Sequence, residues 1–205
     1  MYLPTHFAVE DPALLLPLME QFNFAVLVTA ADGVPFATHL PFQVEAARGS
    51  YGCLLGHLAR ANPQWRHFAA GTEALAIFQG AHAYISPSWY SSHPNVPTWN
   101  YLVVHAYGIP RIVEDEAAVY AHLQQLVQTQ EAGFEVPWEI GQAEEHVRKL
   151  MRGIVAFELP ISRLEGKFKL SQNKTREDRA GVIAELAASD DPIARALAQA
   201  MQAGA

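Results

Sequence analysis

Residues 24–45 read FAVLVTAADGVPFATHLPFQVE, and the way this stretch folds back on itself decides the fold. FAVLVT is a short buried strand, AADG carries turn chemistry, and PFATHLPFQVE alternates as a second strand. Successive side chains of a strand point to opposite faces. Phe36, Thr38, Leu40 and Phe42 therefore share one face, and Ala37, His39, Pro41 and Gln43 the other. Pro41 has no N–H to place in a ladder, so this strand is expected at a sheet edge, bulged or ending there. A tight turn between neighbouring strands makes the pair antiparallel.

The same vocabulary recurs outward from this hairpin. YGCLLGH from Tyr51, ALAIFQG, HAYIS, TWNYLVVHAYGIPRIVE and GIVAFELPISRLEG read as strands, with a break near Gly108 and Pro110. Helices are expected where caps precede helical spacing. Asp11-Pro12 opens one carrying Leu14, Leu15, Leu18, Met19 and Phe22, and Asn62-Pro63 opens a short one. Asp115–Gln130 and Gln142–Met151 form a helical insertion, and Thr175 caps Arg176–Ala188. Asp191-Pro192 opens a last helix to about Gln202. No repeated βα unit appears, which excludes a doubly wound sheet. The expected fold is mainly antiparallel β with peripheral helices (α+β), a closed or half-open barrel. It is expected as one domain over residues 1–205, with a helical tail at about 175–202.

Composition narrows the function classes. The chain has 205 residues, 50% hydrophobic and 17% charged, enough to bury a core. Its 14 Lys and Arg against 21 acids give a net charge of −7, a poor match to a phosphate backbone. With no apolar run of about 18 residues, no membrane span is expected. MYLPTHFAVED lacks the pattern of a secretory signal. The single cysteine, Cys53, allows no internal disulfide and reads as a small core residue. A cytoplasmic protein is expected. GxGxxG, Walker, HExxH and CxxC motifs are missing, and the nine histidines show no compact metal-ligand spacing, so no metal is expected.

Four segments carry candidate chemistry. In ATHLP, Thr38 and His39 are polar residues in an apolar strand, functional or simply facing solvent at an edge. In GHLARANPQW, a helix starting at Asn62 presents open backbone N–H groups, a seat for phosphate, with Arg60 adding charge. An ordinary capped helix is the alternative. In YISPSWYSSHPNVPTWNYLVVH, Trp89 and Trp99 can stack on a flat ring while Ser86, Ser88, Thr98 and Asn100 bond its edge. A core corner or subunit interface is equally rich in rings. In EGKFKLSQNK, Lys167 and Lys169 alternate and Ser171, Gln172 and Asn173 add donors and acceptors, unless the basic groups pair with surface acids. Aromatic faces, amide edges and a phosphate seat are what flavin mononucleotide (FMN) requires.

Together, MYLPTHF, ATHLP, GHLARANPQW, HAYISPSWY, VPTWNY and EGKFKLSQNK resemble the PaiB family, called FMN-binding negative transcriptional regulators. The matches run in order from Met1 to about Lys174. The resemblance implies an FMN-binding split β-barrel of the pyridoxamine-phosphate oxidase type, a homodimer with two flavin sites in its interface. It implies Thr38 and His39 along the flavin ring edge, and His57, Arg60 and Asn62 near the ribityl chain and phosphate. Trp99 and Asn100 would follow the aromatic turn. Lys169, Ser171, Gln172 and Asn173 would close the site.

Two functions follow. One is a flavin-dependent redox protein, an FMN-dependent oxidoreductase or a sensor linked to negative regulation of transcription. The other is a direct DNA-binding repressor without redox catalysis. The second is disfavoured because no basic recognition helix is visible. In the tail, Arg176, Arg179 and Arg195 are interspersed with Glu177, Asp178, Glu185, Asp190 and Asp191. The substrate and the reductant are not legible.

Overall fold

Nine strands, with helices before, between and after them, make up residues 1–204, the part described by the computed structural model. In chain order they are β1 (Ala8–Val9), α1 (Pro12–Gln21), β2 (Phe24–Ala31), β3 (Val34–Pro41), β4 (Gln43–Glu45), β5 (Cys53–Ala59) and β6 (Ala74–Ile85). There follow β7 (Thr98–Gly108), β8 (Arg111–Ile112), α2 (Glu116–Glu131), α3 (Glu144–Met151), β9 (Ile154–Lys169), α4 (Arg176–Ala187) and α5 (Pro192–Ala203). Short 3₁₀ helices occupy Thr5–Phe7, Pro63–Ala70, Pro87–Trp89 and Ile140–Ala143.

The hairpin at residues 24–45 forms as its sequence dictates. Ala31 lies opposite Val34, which leaves Asp32 and Gly33 as a two-residue loop. Both have positive φ, 51° and 77°, the geometry whose twist matches that of the flanking strands. The second strand ends at Pro41. Phe42 N–H donates instead to Asn23 O at 2.9 Å, and the chain resumes as β4, pairing Gln43 with Leu55 and Glu45 with Cys53. Gln43 is thus not on an outer face shared with His39. The break at Pro41 moves it to another strand, where it is 6% exposed.

The sheet order is β3-β2-β6-β7-β9-β5-β4, with β1 and β8 also on β9. Every pairing with a described register is antiparallel. The chain packs as two compact units. The first comprises Met1–Phe22, Phe78–His105 and the chain from Leu164 onward; the second, Asn23–Ile77 and Ala106–Arg163.

In the first unit, Leu15 and Met19 stand one turn apart on α1 and are fully buried. Phe78, Ile85, Leu170, Leu186 and Leu197 are also among its fully buried side chains. In the second unit, Phe157 meets Phe42 edge-on with centroids 6.0 Å apart and Phe68 at 5.0 Å. A satellite cluster of Val119, Met151 and Ala156 ties the helical insertion to β9.

Strands approach closely at Gly108. A Cβ there would lie 2.3 Å from Pro160 O and 2.6 Å from Leu159 Cδ2. Gly108→Ala is therefore expected to cost about 2–3 kcal/mol in urea unfolding, since backbone must move. Gly133→Ala, with nothing within 4 Å of the added methyl, is the control and should change stability by less than about 1 kcal/mol.

Candidate functional site

In the second unit the fold brings Thr38 to Asn62. Asn62 caps the helix Pro63–Ala70, its Oδ1 accepting from Gln64 N–H at 3.0 Å. Its Nδ2 donates to Thr38 Oγ1 at 2.9 Å, so the Thr38 hydroxyl keeps its own proton to donate. The helix is 3₁₀ along its whole length. With Pro63 lacking an N–H and Gln64 capped, it offers fewer open amides than an α-helical start. Arg60 is held by main chain: Nε donates to Arg152 O at 2.8 Å and Nη2 to Ile154 O at 2.7 Å. That grip engages Nε and Nη2, and Nη1 has no hydrogen bond of its own among the described residues. Arg60 and Trp65 also line a cleft of about 1280 Å³ with residues of α3 such as Arg148 and Met151. His39 is exposed on β3 and stacks on Phe24, with centroids 6.4 Å apart.

Three residues that matter here escaped sequence reasoning. Gln64 is fully buried, and its Nε2 donates to Leu27 O at 3.0 Å and to Phe36 O at 3.2 Å. It thereby fastens the 3₁₀ helix, and with it Asn62, to the β2–β3 hairpin. Its only sequence signal is a polar residue two positions after the cap. Gln43 and His122 complete a chain that starts at His57. His57 Nδ1 is 3.2 Å from His122 Nε2, and His122 Nδ1 is 2.6 Å from Gln43 Oε1. Burial, aided by His57, lowers His122 to about 4, and burial lowers His57 as well. These partners lie 65 and 79 residues apart, a pairing that no local pattern announces.

In the first unit, Trp99 is 54% exposed on β7, with Tyr84 edge-on at 6.1 Å and His82 tilted at 6.4 Å. Asn100, the next residue, is fully buried. Its Nδ2 donates to Ser171 Oγ at 2.9 Å, while Oδ1 has no hydrogen-bond partner. Successive strand side chains face opposite ways, so Asn100 lies on the buried face of β7, where an orphaned acceptor is costly, and Trp99 lies on the open one. The exposed indole offers the flat apolar face on which a flavin ring can stack. Ser171 holds a left-handed backbone, φ 60°, an uncommon conformation for a residue with a Cβ. Gln172 is spent locally, accepting from Leu170 N–H at 2.7 Å and donating to Phe168 O. Asn173 is exposed.

Among the described residues, the two lysines meet main-chain and hydroxyl oxygens and rings rather than surface acids. Lys167 is 8% exposed; it donates to Tyr2 O at 3.0 Å and lies near the Tyr2 and Tyr101 rings. Lys169 donates to Thr98 Oγ1 and to Trp99 O, and burial, with Lys167 nearby, lowers its pKa. The aromatic turn is anchored to the C-terminal helices. Ser91 and Ser92 grip Asp178 of α4 through bonds of 2.9, 3.0 and 2.6 Å, which hold that carboxyl down at about 2. Tyr90 is buried whereas Trp99 is open. Cys53 is buried and its thiol pushed up to about 11, so it is no thiolate nucleophile at neutral pH.

The histidine pair sets a pH dependence. Both imidazoles have folded pKa values below the ordinary 6.5, so below that pH the unfolded chain takes up protons that the fold refuses. Stability from these groups is full above about pH 6.5 and falls as the pH drops toward about 4. The slope is about 1.4 kcal/mol per pH unit per proton. Urea titrations between these limits should show a shallower slope for His122→Phe than for the parent chain.

Residues 1–163 match the family described as "Putative FMN-binding domain". The chain is 36% identical over 203 residues to the protease synthase and sporulation protein PAI 2 of Bacillus subtilis strain 168, spanning 98% of this chain and 97% of that protein. Among solved structures, it resembles the flavocytochrome Anf3 of Azotobacter vinelandii, with a TM-score of 0.61 at 17% identity. That match covers 85% of this chain and 75% of the other. It also resembles the FAD and haem binding protein of Mycobacterium smegmatis, with a TM-score of 0.62 at 16% identity, covering 84% and 78%. These likenesses establish the split-barrel fold, and the family match establishes FMN or a related flavin as the cofactor class. The chain belongs to the PaiB family of FMN-binding split-barrel proteins.

Proposed function

We propose that this protein is a homodimeric, FMN-dependent redox protein or sensor linked to negative regulation of transcription. The family match over residues 1–163 carries the reading. Flavin, when bound, supplies electron and hydride transfer. The chain's own residues bind and orient it. Asn62 and the Nη1 end of Arg60 hold the phosphate, with His57 beside the ribityl chain. Thr38 donates its hydroxyl proton to the ring edge, and His39 lies along that edge. The open face of Trp99 meets the ring, Asn100 steadies the strand behind it through Ser171, and Lys169, Ser171, Gln172 and Asn173 shape the wall. Each flavin is contacted by residues from both subunits.

The link to transcription draws support from the regulator naming of the family. Flavin chemistry or a protein partner, rather than direct DNA contact, mediates it. The net charge of −7 and the mixed charges of α4 and α5 argue against a phosphate-binding face. Among the described residues no helix is long and apolar enough to cross a membrane. We place the protein in the cytoplasm.

The purified protein is expected to be yellow, to release FMN on denaturation and to run as a dimer in light scattering. A colourless chain that takes up no added FMN would refute the proposal. Arg60→Ala should weaken FMN about tenfold or more while riboflavin binding changes little, because only FMN carries the phosphate. Equal losses for the two ligands would remove the phosphate assignment. Gel shifts at physiological salt that depend on DNA sequence would favour the direct repressor instead.

A further inference from the structure

The hydrogen count of the Gln43–His122–His57 chain is settled by one carbonyl. Gln43 Nε2 lies 3.1 Å from His122 O, a buried main-chain acceptor. A carbonyl oxygen can only accept, so the amide nitrogen must face it, and Gln43 Oε1 must face the His122 ring. Flipping the amide would set oxygen against oxygen. Oε1 can only accept too, so His122 Nδ1, 2.6 Å away, carries a proton.

The neutral form of His122 then leaves Nε2 as a bare lone pair. Burial favours that neutral form, with His122 titrating only at about 4. His57 Nδ1 lies 3.2 Å from that lone pair and must be the donor. By the same count, the neutral His57 ring ends in an unprotonated Nε2. His57 is half-buried on β5, and this nitrogen has no partner of its own among the described residues.

We propose that Gln43 and His122 hold His57 as its Nδ1–H tautomer, so that His57 offers Nε2 as an acceptor to a ribityl hydroxyl of the flavin and makes no bond to its phosphate. A fully ionised phosphate only accepts hydrogen bonds and finds no hydrogen at a bare nitrogen, whereas a ribityl hydroxyl brings its own. The ribityl clause rests on the flavin site proposed above, whereas the tautomer does not. His122 and Gln43 are positioning residues: they act on a ligand only through His57.

The test uses the ligand-free full chain with ¹⁵N-labelled histidine at neutral pH, the His57 signals being assigned by their loss in His57→Phe. Two-bond nitrogen–proton spectra should show a pyrrole-type Nδ1 and a pyridine-type Nε2 for His57. The opposite pattern overturns the proposal. In His122→Phe, His57 loses its acceptor and should shift toward the Nε2–H form; an unchanged His57 pattern overturns the positioning role.

FMN and riboflavin titrations then test the ligand clause. His57→Phe should weaken both by the same factor, about tenfold. A loss confined to FMN overturns the ribityl assignment in favour of the phosphate. No loss with either ligand, with the tautomer as stated, overturns the placing of His57 in the flavin site and leaves the relay standing.

Discussion

A single strand of sixteen residues, β9, is the constraint on which the structure depends. It pairs with β5 from Cys53–Pro160 to Ala59–Ile154, with β8 through Arg111–Glu158, and with β1 through Ala8–Lys167. A strand bonded along both edges leaves few backbone groups unpaired and buries side chains on both faces. Its neighbours must come close. Gly108 abuts Pro160 O, and Gly166 sits where a Cβ would lie 2.2 Å from Leu15 Cδ2 and 2.8 Å from Val9 O. In this way α1 and β1 are seated on the far end of β9, and the helical insertion on its beginning.

Candidate chemistry is held in place by polar groups that are buried and matched. Gln64 fastens the Asn62 cap to the first hairpin. Asp178 holds the aromatic turn by three bonds from Ser91 and Ser92. Lys167 and Lys169 spend their charge on carbonyls and rings. Gln64, Asp178 and Lys167 are desolvated, and each would cost more unpaired than it contributes paired. That asymmetry makes the geometry definite, so a neutral histidine tautomer and a bare amide oxygen are properties of the fold rather than of a mobile surface.

Legibility in the sequence tracked distance along the chain. Expected helix starts were right because a cap is a contact over two or three residues: Asp11, Asn62, Asp115, Thr175 and Asp191 each accept a nearby N–H. Pro41 signalled a strand end because a missing donor acts at its own position. The alternation of Lys167 and Lys169 was legible as extended chain, but not which groups the two ammoniums would meet. Lys167 is covered by Tyr2, a residue 165 positions away. The two-residue strand β1 was invisible for the same reason, as two residues carry no period.

By itself the sequence determined the hairpin with its Asp32-Gly33 turn, the antiparallel class, the capped helices and the family. All of these depend on neighbouring residues or on the order of motifs. Only the tertiary structure decided that Asn62 bonds Thr38, that Asn100 leans on Ser171 with one oxygen left bare, and that Gln43 and His122 stand behind His57. Hydrogen bonds between distant residues depend on where the chain returns, and packing around β9 sets that return, not the local spacing of residues.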